Sequence, residues 1–317
     1  MRFPVVVALI GWNALLPASD SPTFHTSLIL VKTDVEVYDR QTRSPILGLN
    51  ASDFTVRDED QPRDIVYFGG DSGPVDLLLL LDVSGSVREI LPQIAHRATN
   101  ALSTLGERDR AAVMAFSRTT AITQSLTPDF RAVADGIRST LSVRIGLDTD
   151  INQALWSAAN YLHDAGGTSR RAVLVITDNM QETRIPDSVV DEQLAEAGAV
   201  LDGLLVRGPV PLPHVGHPGI LGFARSTGGE VIEGNQPSSR LADMICRIKF
   251  RYSIHFRPVD TQSAQPRRIH VGLSAEAQHR YPHVLVRARR IYFPRGTYRP
   301  KPNAPASQRV ASKLALR

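Results

Sequence analysis

Three short segments of this 317-residue chain carry side chains suited to holding a cation. The first is "DVSGS", which sets Asp82, Ser84 and Ser86 on alternate residues. The second is "GLDTDINQAL", with Thr149 between Asp148 and Asp150. The third is "VLVITD", which ends in Asp178 and is followed by Asn179. Asp82 and Asp178 supply carboxylates; Ser84, Ser86 and Thr149 supply hydroxyls. An all-oxygen set suits Mg²⁺, with Mn²⁺ or Ca²⁺ as substitutes. The alternate residues Asp82, Ser84 and Ser86 can face one point if the chain turns sharply, and Gly85 offers that turn. Few charges on the direct ligands would leave the ion electron-poor and receptive to a carboxylate from outside. The competing reading is local: Asp82, Ser84 or Ser86 caps the helix that follows.

Such residues work only if rigid elements aim them. Residues 75–81 form a continuous apolar run, bounded by Gly73-Pro74 and Ser84-Gly85. That length and composition predict a strand buried on both faces of a parallel sheet. "RAAVMAFS", "RAVLVITD", "AVLDGLLVRG" and "GEVIEG" read as further strands, with "TTAITQSLT" as an edge neighbour. Between them, apolar spacing predicts helices over 88–105, 128–141, 151–163, 187–197 and 238–250, and a short one in "PGILGFARSTG". The repeated order predicts an α/β fold, a doubly wound, mostly parallel sheet with helices on both faces. Ligands of such sheets bind beyond the carboxyl ends of the strands, where two of these strands deliver Asp82 and Asp178.

The flanks differ. Residues 25–70 read as short strands, and 251–296 as three alternating strands. Neither set has enough apolar surface alone, so the two are expected to pack as one β-sandwich-like domain interrupted by the 75–250 domain. Residues 1–18 read as a signal peptide: Arg2, an apolar stretch over 3–16, and Ala18 as a small residue for cleavage. Export to the periplasm or outside follows, with a retained anchor as the alternative. Residues 297–317 read as a basic disordered tail.

The composition, 42% hydrophobic and 21% charged, suits a globular protein, and 6% aromatic argues against a stacking platform. From Arg251 onward there are 14 Lys/Arg against 2 Asp/Glu. A basic part can contact an anionic membrane, or be a solvated face; no nucleic-acid motif accompanies it. The single Cys246 excludes an intrachain disulfide and reads as a core residue. Asp109 reads as a turn residue, and His214 and His217 as loop residues.

D-x-S-x-S, then T-x-(L/I)-x-x-A-L, then a buried strand ending in T-D resembles the von Willebrand factor type A (VWA) domain over 75–250. The flanking "FTVRDEDQPRDIVYF" and "YSIHFRP…RRIHVGL…VLVRARRIYF" resemble exported VWA-related proteins of acidobacteria. The resemblance implies a metal-ion-dependent adhesion site (MIDAS). Ser84 and Ser86 would ligate the ion directly, and Thr149 directly or through water. Asp82 and Asp178 would bind through water, and a partner's Asp or Glu would complete the shell. Two positions depart from the family pattern. Leu147-Asp148 replaces Gly-Gly, so Asp148 and Asp150 add charge beside a ligand, and Asn179 replaces a glycine.

The function expected is a non-enzymatic, metal-dependent protein-binding module with no small-molecule substrate. A phosphatase-like Mg²⁺-dependent hydrolase is the alternative, with Asp82, Ser84 or Ser86 as nucleophile. Against it, Ser84 stands where a second carboxylate would help, and no G-x-S-x-G or well-placed histidine base occurs. A scaffold without a functional metal is the third reading.

Overall fold

The computed structural model describes residues 30–146, 148–179, 184–206, 219–234, 237–261, 263 and 265–294. The 1–18 and 297–317 segments, His214 and His217 lie outside them. In chain order the first elements are β1 (Val31–Asp39), β2 (Phe54–Asp58), β3 (Gln61–Arg63) and β4 (Ile65–Gly69). The α/β part follows with β5 (Val75–Asp82), α1 (Gly85–Arg88), α2 (Leu91–Leu102), β6 (Arg110–Phe116), β7 (Thr120–Thr127), α3 (Phe130–Thr140) and α4 (Ile151–Asp164). It continues with β8 (Arg170–Thr177), α5 (Asp187–Glu196), β9 (Ala199–Val206), α6 (Ile220–Thr227), β10 (Val231–Gly234) and α7 (Pro237–Lys249). Last come β11 (Tyr252–Phe256), β12 (Arg267–Leu273), α8 (Ala275–Arg280), β13 (Val284–Ala288) and β14 (Ile291–Tyr292).

The central sheet has the order β10-β9-β8-β5-β6-β7. Its strands are parallel except β7, which closes one edge antiparallel to β6. β5 sits inside the sheet, and every residue of it is buried. Leu77, Leu79 and Leu81 join the core beneath α2, α3 and α7, while Leu78 and Leu80 join the opposite core beneath α4, α5 and α6. Apolar neighbours on both faces are what an uninterrupted leucine run requires, and each such side chain adds roughly 1.5–3 kcal/mol of burial.

The expected helix over 88–105 is divided. α1 ends at Arg88 and α2 begins at Leu91, with Pro92 in its first turn. Proline lacks the N–H that a continuous helix would need there, but fits a first turn. Gly85 likewise differs from expectation: it starts α1 without a positive φ, so the chain turns there without glycine's special freedom.

The end segments form two antiparallel sheets, β13-β1-β11-β4 and β14-β12-β2-β3. Val35, Val37, Phe54, Val56, Tyr252, Ile254, Phe256, Ile269, Val271 and Leu273 fill one core between them. β1 lies between β11 and β13, pairing with both, so N-terminal and C-terminal strands share a sheet. This is the flanking β-sandwich expected from the sequence. α8 was not among the sequence expectations; its cap is Ser274, whose hydroxyl accepts the Ala277 N–H.

Part of the C-terminal basic charge, with Arg247 just before it, turns inward. Arg251 forks onto Asp202 at 3.0 Å, and Arg247 pairs with Glu36 at 2.5 Å and with Glu230. Arg287 reaches Glu230 at 2.7 Å. Arg247 and Arg287 both stack on the Tyr38 ring, 4.5 and 4.7 Å from its centre. These contacts bind the sandwich to the α/β domain. Asp109 is fully buried and does more than turn the chain: it accepts from the Val75 N–H, the Gly106 N–H and Lys249. Cys246 is half-buried, not a core residue.

Candidate metal centre

From β5 the chain crosses to β6 on one side, and it later returns to lay β8 on the other. The carboxyl ends of β5 and β8 therefore flank the switch point of the sheet, the usual place for a ligand crevice. Asp82 is the last residue of β5; Thr177 ends β8, with Asp178 next. Leu81 pairs with Ile176, which brings the two strand exits side by side.

Asp82 is fully buried and ties these exits together. Its Oδ1 accepts the Ser84 N–H at 2.8 Å, and its Oδ2 accepts the Thr177 hydroxyl at 2.7 Å. The Thr177 oxygen in turn accepts the Asn179 N–H at 3.1 Å. Burial pushes the Asp82 carboxyl up to about 6, and the charge of half-buried Asp178 adds to that; the donors on Ser84 and Thr177 pull it down. The Asp178 charge disfavours that of Asp82, and a cation beside Asp82 would relieve it.

Ser84 takes the position before α1, yet its side chain makes no capping bond. Its Oγ is buried and makes no well-formed hydrogen bond among the described residues, although it lies close enough to the Asp82 carboxyl to pull it down. A buried hydroxyl without a well-formed hydrogen bond costs free energy, so the helix-cap reading does not account for it. An ion-binding role does, and the hard oxygens beside it fit a hard divalent cation. Ser86 is the second residue of α1. Among the described residues no three His, Cys, Asp or Glu gather. The donor set here is two carboxylates plus hydroxyls.

The third segment reaches the same rim through β6. The Val83 N–H donates to Phe116 O at 2.8 Å, so the end of β6 lies against "DVS". Ser117 follows, and its hydroxyl donates to Gly146 O at 3.1 Å and Asp148 O at 2.7 Å. Its carbonyl accepts the Asp150 N–H at 3.0 Å. Ser117 thus pins the loop that carries half-buried Thr149.

The flanking residues take other parts. Asp150 was expected beside a ligand; it is buried and caps α4, accepting the Gln153 N–H at 3.0 Å. Asp148 stays exposed, 3.9 Å from Arg118. Asn179 has φ +60°, the left-handed conformation in which asparagine replaces glycine at small cost. Its side chain is buried and accepts the Ile220 N–H at 3.1 Å, so it braces the start of α6 instead of facing a ligand. Gly219 leaves room for it: a Cβ there would lie 2.2 Å from Asn179 Oδ1. Sequence reasoning missed Thr177 and Ser117 as supports. The threonine before a strand-end aspartate was the available signal for the first; Ser117, ending "RAAVMAFS", carried none.

The family model of the von Willebrand factor type A domain matches residues 77–181. A comparison with curated proteins gives no match. Among solved structures, a conserved hypothetical protein, BatB, from Bacteroides thetaiotaomicron is 17% identical, with 55% of this chain and 98% of that chain covered and a TM-score of 0.44. A von Willebrand factor type A protein from Catenulispora acidiphila is 12% identical, with 79% and 71% covered and a TM-score of 0.45. Proximal thread matrix protein 1 from the mussel byssus, with a zinc-occupied MIDAS motif, is 15% identical, with 56% and 48% covered and a TM-score of 0.43.

Proposed function

We propose that the region matched by the von Willebrand factor type A family model, residues 77–181, is a metal-dependent protein-binding module. The observation that carries this reading is the buried Ser84 Oγ, without a well-formed hydrogen bond, beside buried Asp82 at the switch point. In this proposal Ser84, Ser86 and Thr149 hold Mg²⁺ directly, while Asp82 and Asp178 hold its waters. The ion supplies a Lewis-acidic position for an Asp or Glu of the partner protein. Mn²⁺ or Ca²⁺ would use the same oxygens.

The protein chain's own contribution is positioning. Asp82 fixes the backbone of Ser84 and the side chain of Thr177, and Ser117 fixes the Thr149 loop. The same bonds disfavour a hydrolase. Asp82 is buried, with a donor on each carboxylate oxygen, so neither oxygen is presented as a nucleophile.

Export belongs to the same reading. It rests on Arg2 and the apolar stretch over 3–16, a composition suited to a secretory signal, and places the module in the periplasm or outside. The inward-facing arginines leave less basic charge for membrane contact than the composition alone suggests.

A pull-down from the envelope fraction of the source organism tests the reading. Partner capture should need a divalent ion and should disappear with chelator or with Asp82→Ala, while circular dichroism stays native. Capture that persists in Asp82→Ala and in chelator would overturn it.

A further inference from the structure

A second concave site lies at the seam between the two domains, away from the strand exits. It is a cleft of about 940 Å³ between one side of α6, from Leu221 to Gly228, the start of β10, and β12 to β14. α6 begins at the Asn179 brace and walls this cleft along its length through Leu221, Ala224 and Arg225.

The charge in the cleft is unbalanced. Arg225 on α6, Arg268 on β12 and Arg290 between β13 and β14 line it, all exposed, and none forms an ion pair among the described residues. Arg289, 5% exposed, also borders the cleft, but its guanidinium donates to Ala199 O at 2.8 Å and Leu194 O at 3.3 Å, outside the cleft's lining. It too has no carboxylate at ion-pair distance among the described residues. Glu230 is committed to Arg247 and Arg287. That leaves Glu59 and Asp60 on the rim against three cations, Arg225, Arg268 and Arg290.

Apolar side chains, Ile269 and Val231 among them, complete the walls. A cleft of this size falls in the range that encloses small molecules. Guanidinium groups fork onto carboxylate and phosphate oxygens, and several aimed at one cavity favour a ligand with several anionic groups.

We propose that this interdomain cleft is a metal-independent site for a small polyanion that carries at least two phosphate or carboxylate groups. It does not rest on the metal-centre reading. Because the cleft is walled by both domains, its ligand bridges α6 of one and β12 of the other.

The test is calorimetric titration of the metal-stripped full chain with tripolyphosphate and, separately, with citrate, at about 0.15 M chloride to screen loose attraction. The expected result is saturable one-to-one binding of at least one probe, weakened tenfold or more in the Arg268→Gln/Arg290→Gln double variant. Both residues are exposed, so the variant's melting temperature should match that of the wild type. The tighter probe tells phosphate from carboxylate. No saturable binding, or equal binding by the double variant, would overturn the proposal. So would a polyglutamate peptide that binds more tightly than either small anion, since the cleft would then be a peptide groove.

Discussion

At the scale of single residues, Asp82 sets the terms of the metal centre. Its carboxyl keeps a proton up to about 6 in the fold, against an ordinary value of 3.8. Between those values the folded state holds the extra proton, so without an ion this group loses stability as pH rises through the window. A divalent ion competes with that proton. Mg²⁺ affinity should therefore fall as pH drops below about 6, with protons released on binding. Titrations in buffers of different ionisation enthalpy would read that release. Affinity that stays flat from pH 5 to 7.5 would remove Asp82 from the site. Ser84 complements Asp82: one side chain has both oxygens engaged, and the other has a buried oxygen without a well-formed hydrogen bond.

At the scale of elements, the strand exits matter most. Asn179 locks the exit of β8 onto the start of α6. Asn179→Ala removes the acceptor for the Ile220 N–H and puts a less tolerant residue at φ +60°. The expected cost is about 1–3 kcal/mol, from a lost cap and a strained backbone. Denaturant unfolding would measure it, and a change near zero would mean that the brace is idle. The strands at these exits are legible in the sequence, because a leucine run bounded by turn residues has few other solutions. The two aspartates are legible for the same reason: they stand where buried strands must end. The division between α1 and α2 is less visible, since Ile90, Ile94, Ala98 and Leu102 keep a helical spacing across the break. The roles of Thr177, Ser117 and Asp150 depend on which loop falls against which strand, and local spacing holds no record of that.

At the scale of the whole molecule, the two domains share buried charge. Glu36 on β1 pairs with Arg247 at 2.5 Å and lies 3.7 Å from Arg251 and 3.5 Å from Arg287. Glu36→Gln would leave these guanidinium groups with Glu230 and Asp202 alone. Breaking a buried pair in this way costs about 3–5 kcal/mol. Urea unfolding should then separate into two transitions, whereas one unshifted transition would count against the shared lock. Glu230 adds a pH term. Burial works to raise its carboxyl, but Arg287 and Arg247 outweigh that and hold it below 4.5. A lowered carboxyl stabilises the fold above its ordinary value, and that share is lost as pH falls below 4.5. Acid should thus loosen the seam before it unfolds the central sheet, which amide exchange along β1 and β13 would report. The basic composition after Arg251 suggests a surface; the acidic partners that hide part of it lie far away in sequence.

The place of β1 has a consequence for how the molecule comes into being. Val35 pairs with Tyr252 on one side and with Ala288 on the other. On a ribosome or at a translocation pore, where the chain emerges from its first residue onward, β1 appears early and waits for both neighbours. The central sheet, whose strands all lie between Val75 and Gly234, can close during that wait. The sandwich is therefore begun first and finished last, as a clasp around a domain already made.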